Sequence, residues 1–66
     1  MKTQSWDKFL GKEVIVTLKD GDVFQGILQK NTIKRVEFLT LWELEDDLYN
    51  IVAKFLPSEV QSIALA

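Results

Sequence analysis

Val14-Ile15-Val16-Thr17-Leu18-Lys19-Asp20-Gly21-Asp22-Val23-Phe24-Gln25-Gly26-Ile27-Leu28 decides the fold class of this 66-residue chain. Its first half is rich in β-branched residues, which suit a pleated surface. Asp20-Gly21 then supplies a hairpin turn, because glycine accepts positive φ without steric cost. The returning strand, Asp22 to Gln29, puts Phe24, Gly26 and Leu28 on one face and Val23 and Ile27 on the other. Apolar residues on both faces predict that both sides are covered. Gly26 at mid-strand predicts a sharp bend or a close backbone approach.

Upstream, Ser5-Trp6-Asp7-Lys8-Phe9-Leu10-Gly11 reads as one or two helical turns. Ser5 is placed to cap them, Gly11 to end them, and Trp6, Phe9 and Leu10 form the buried stripe. Downstream, residues 30–35 read as a polar loop and Arg35 to Leu44 as a strand. Glu45-Asp46-Asp47 is a turn, Leu48 to Leu56 a strand, Pro57-Ser58-Glu59 a break, and Val60 to Leu65 the last strand. Leu41, Leu44, Leu48, Ile51 or Val52, and Phe55 also recur at helical spacing. Residues 41–56 therefore have two readings, strand–turn–strand and amphipathic helix, and the first is favoured.

The length allows one domain, residues 1–66, with a core that is marginal by itself. Small domains compensate with disulfides, a metal or self-association. Cysteine and histidine are both absent, which excludes disulfides, thiolate nucleophiles, the usual zinc sites and the commonest general base. Self-association is the expected compensation. No apolar run approaches a membrane span and the first residues have no apolar signal core, so a cytoplasmic protein with no membrane partner is expected. Net charge is −2, divided as +3 over residues 1–36 and −5 over residues 37–66. Nucleic-acid binding would need a local basic patch on such a chain.

Lys30, Asn31, Thr32, Lys34 and Arg35 make the candidate patch: the cations contact phosphates, while Asn31 and Thr32 donate hydrogen bonds. A solvated loop is the plainer reading. Trp42 is expected in the core, and Tyr49 at an interface, where amphipathic rings are common. Glu43, Glu45, Asp46 and Asp47 lack the spacing and turn glycine of a calcium loop, and read as a solvated turn with no metal. No phosphate-cradling glycine loop and no nucleophile elbow occurs. The expectation is a non-enzyme without a cofactor.

Leu10-Gly11-Lys12, Val14 to Gly21 and Phe24 to Leu28 resemble the first motif of Sm-like (LSm) proteins, and Leu56 to Ile63 resembles that family's last turn and strand. The resemblance implies a mainly β fold, a short N-terminal helix on a five-stranded, strongly bent antiparallel sheet forming a small barrel. It also implies a homo-oligomer, commonly a ring, in which the fourth strand of one copy pairs with the fifth of the next. Tyr49, Ile51, Ala53 and Phe55 on one strand, and Val60, Ser62 and Ile63 on the other, are the interface candidates. Single-stranded RNA is the family's common partner, yet its pocket residues transfer poorly. The positions after the bent strand are Thr32, Arg35 and Val36, and Leu56-Pro57 stands before the last strand where the family carries Arg-Gly. An atypical RNA binder and a protein-interaction or structural module without RNA both fit.

Overall fold

A computed structural model describes residues 6–66. Five strands, β1 (Glu13–Leu18), β2 (Val23–Ile33), β3 (Val36–Glu45), β4 (Leu48–Phe55) and β5 (Val60–Leu65), form one antiparallel sheet in the order β4-β3-β2-β1-β5. Residues 41–56 are thus strand–turn–strand. The β1–β2 hairpin forms where Asp20-Gly21 predicts it. Gly21 has φ +99°, its N–H donates to Leu18 O at 2.9 Å, and Asp22 N–H donates to the Asp20 carboxylate at 3.0 Å.

The core lies on one face. Val14, Val16 and Leu18 of β1 meet Leu28, Leu39, Leu41, Phe55 and Val60, all buried. Eight such side chains, at about 1.5–3 kcal/mol each, make a small core for a sheet of five strands. The β1 pattern is a strict alternation, so its register is fixed by burial. Gly26 is buried opposite Val14. A Cβ there would sit 2.8 Å from Trp42 O and 3.2 Å from Trp42 N, so the backbone of β3 occupies the space a side chain would need. Close approach is the reason for this glycine.

Two expectations are corrected. The N-terminal helix is a single 3-10 turn, Trp6–Phe9, extended by Leu10 N–H to Asp7 O (3.2 Å) and Lys12 N–H to Phe9 O (3.1 Å). It stops because Gly11, at φ +79°, turns the chain onto β2, where Gly11 N–H donates to Leu28 O and Leu28 N–H to Lys12 O. Phe9 and Leu10 pack on the core as expected, whereas Ser5 and the Trp6 side chain lie outside the described residues. Second, the sheet is not closed. Among the described residues β4 pairs only with β3 and β5 only with β1. The Pro57–Glu59 3-10 turn carries the chain from one edge of the sheet to the other, held by Leu56 N–H donating to the Glu59 carboxylate at 2.8 Å.

The expected polar loop at 30–35 also shortens. Ile33 pairs with Val36, leaving only Lys34-Arg35 as a two-residue turn with φ +51° and +70°. Asp46-Asp47 is its counterpart between β3 and β4, with φ +52° and +65°. Two-residue hairpin turns take this mirror-image geometry because it matches strand twist, and Asn-Gly is its usual filling. Each non-glycine residue held there costs about 1–2 kcal/mol, least for aspartate.

The register between β3 and β4 shifts after Leu41↔Ala53, so Trp42 faces Ile51 and Val52 is the extra residue of a bulge. That one residue moves Ile51 and Tyr49 off the core face and onto the opposite one.

Candidate interaction surfaces

Three surfaces stand out. The first is the far face of β2, β3 and β4. Half-buried Ile27 and Trp42 adjoin Leu44, Tyr49 and Ile51, which are 55–59% exposed. Grooves of about 390 and 460 Å³ flank Ile27 and Trp42; Gln29 and Tyr49 line one, Gln25 and Glu43 the other. Thr40 holds Trp42 in place. Its Oγ1, in a residue only 2% exposed, accepts from Trp42 Nε1 at 2.9 Å and from Asn31 Nδ2 at 3.0 Å. Trp42 is therefore not a core residue; it lies across the sheet from the core, fixed by a polar contact. Nor is the far side covered at Val23, which is 59% exposed. Sequence reading missed Thr40, although a threonine two residues before a tryptophan on one strand face is a cue for such a bond.

The second surface comprises the two sheet edges. Of the interface candidates, Tyr49 and Ile51 are exposed on β4 and Ser62 on β5. Phe55 and Val60 are buried in the chain's own core, and Ala53 and Ile63 pack against it half-buried. Those four contribute edge backbone rather than exposed side chain.

The third is the pair of hairpin ends. The five polar candidates for RNA contact are not equivalent. Lys30 is held by Asp7 (3.3 Å) and Glu37 (3.5 Å). The hydrogen bond from Lys30 to Asp7, with the charges of Asp7 and Glu37, raises its pKa above the ordinary lysine value. Asn31 is spent on Thr40. Thr32, Lys34 and Arg35 remain exposed, and neither cation forms an ion pair among the described residues. At the other end of β3, Glu43, Glu45, Asp46 and Asp47 are exposed and likewise without ion pairs among the described residues. They form no metal-holding cluster there. Among those residues no helix is long and apolar enough to cross a membrane.

No family model matches the chain, and no curated protein or solved structure matches it significantly.

Proposed function

We propose that the protein is a non-enzymatic, Sm-like interaction module that self-assembles by adding β4 of one copy to β5 of the next. The observation that carries this reading is the pair of open edges. β4 spans eight residues and β5 six, and among the described residues each pairs with another strand on one side only. Long apolar edges are hazards that proteins blunt with proline, lysine, bulges, inward charge or cover. β4 carries Lys54 and the Val52 bulge but no proline, and it presents Leu48, Tyr49 and Ile51 more than half exposed. Two different edges that join head to tail give a ring when the rotation closes. The absence of cysteine and histidine and the small core support assembly as the compensating stabiliser.

RNA capture is the less favoured version of this module. With Lys30 and Asn31 engaged, Lys34 and Arg35 are the cations left at that end. Two phosphate contacts on a single strand imply a log–log salt slope of only about −1.4 per chain.

The test is light scattering on a sizing column. Assembly at high as well as low salt is expected, and Tyr49→Lys with Ile51→Lys should reduce it to the monomer. A wild-type monomer of 7.6 kDa overturns the reading. Titration with oligoribonucleotides at low salt checks the RNA version, which absent binding rejects.

A further inference from the structure

We propose that the two ends of β3 form a second, ionic interface between copies, the Lys34-Arg35 turn of one chain docking on the Asp46-Asp47 turn of another. This goes beyond edge pairing, and of the two open edges it uses only Leu48, at the start of β4. Both turns project from two-residue hairpins with every central residue at positive φ. Their charges are opposite and form no ion pair among the described residues: Lys34 and Arg35 at one end, Glu45, Asp46 and Asp47 at the other. Glu37, the nearest acid to the basic turn in the register, is taken by Lys30 at 3.5 Å.

Each turn also carries an apolar collar. Ile33 and Val36, paired beneath the basic turn, are 56% and 53% exposed, while Leu44 and Leu48 beside the acidic turn are 56% and 66% exposed. A charged tip on an apolar base is the layout of a small docking contact, with the apolar part excluding water from the ion pairs. The occupant is a second copy because the complement is already present in this chain. It cannot be the same copy. Ten residues of β3 separate the turns, on the order of 30 Å along a strand. A contact between two different patches is head-to-tail, so it links copies into a chain or closes a ring.

The experiment is a charge exchange followed by sedimentation velocity at low and high salt. Variant one is Lys34→Glu with Arg35→Glu, variant two Asp46→Lys with Asp47→Lys, and variant three combines all four and keeps the wild-type net charge. The salt-sensitive part of association should weaken about tenfold or more in variants one and two. It should return in variant three and in an equimolar mixture of one and two. Far-UV circular dichroism of each variant confirms the fold. Wild-type association lacking any salt-sensitive part overturns the proposal, as does loss that neither the mixture nor variant three restores. Edge pairing is read separately, from the mass that survives high salt.

Discussion

The strands of the β1–β2 hairpin hold nine apolar residues and those of the β3–β4 hairpin twelve, and the two sets are used differently. In β1, alternate residues go into the core, and Asp20-Gly21 turns the chain with glycine at the left-handed position. In β3 and β4, apolar residues occupy both faces, a bulge at Val52 interrupts the alternation, and the turn is made by two aspartates. The first hairpin buries Val14, Val16, Leu18 and Leu28 in the core and leaves Val23 and Ile33 outside it. The second has more apolar surface than the core accepts, and the excess lies outside as Leu44, Tyr49 and Ile51. Where a strand holds more apolar residues than one face can bury, the remainder marks a surface for something else.

The two faces of β3 give the largest expected contrast. Leu41→Ala, at a fully buried site, should cost about 2–5 kcal/mol in urea denaturation, while Leu44→Ala should stay within about 0.5 kcal/mol and weaken assembly instead. Equal costs would show that the far face is also a core. Next comes Gly26→Ala, which forces its Cβ against the Trp42 backbone and should cost about 1–3 kcal/mol. Thr40→Val follows. It leaves Trp42 Nε1 and Asn31 without their acceptor, for about 1–2 kcal/mol, and the tryptophan emission should shift as the ring is released.

The turns provide a smaller test of opposite sign. Replacing Lys34-Arg35 by Asn-Gly should stabilise the fold by about 1 kcal/mol in thermal unfolding and lower salt-sensitive association. Smallest is Lys30. A group whose pKa rises on folding adds stability that is complete below its unfolded pKa and lost as pH climbs through the folded one. A pH series with Lys30→Met should therefore differ from wild type at neutral pH and converge with it above the ordinary lysine range.

Much of this was legible before the structure. The Asp20-Gly21 hairpin, the Pro57 break and the last strand follow from local chemistry, because glycine and proline act within a few residues. The 41–56 stretch did not resolve locally. Its helical-looking spacing arises from Leu41 facing the core, Leu44 facing away, and a bulge that lets Ile51 and Val52 follow one another. Only pairing with β3 decides which side each takes. The N-terminal segment failed for a related reason: backbone bonds to Leu28 replaced the ones that would have continued a helix. At the basic end, the residue types were visible but not their engagement. Lys30 looked as available as Lys34 until Asp7 and Glu37 were beside it.

This small sheet is proposed to complete itself with a second copy. Multi-angle light scattering on a sizing column, at tens of micromolar chain and high salt, tests it most directly. A mass of two or more times 7.6 kDa is expected, and a single species at 7.6 kDa contradicts self-assembly.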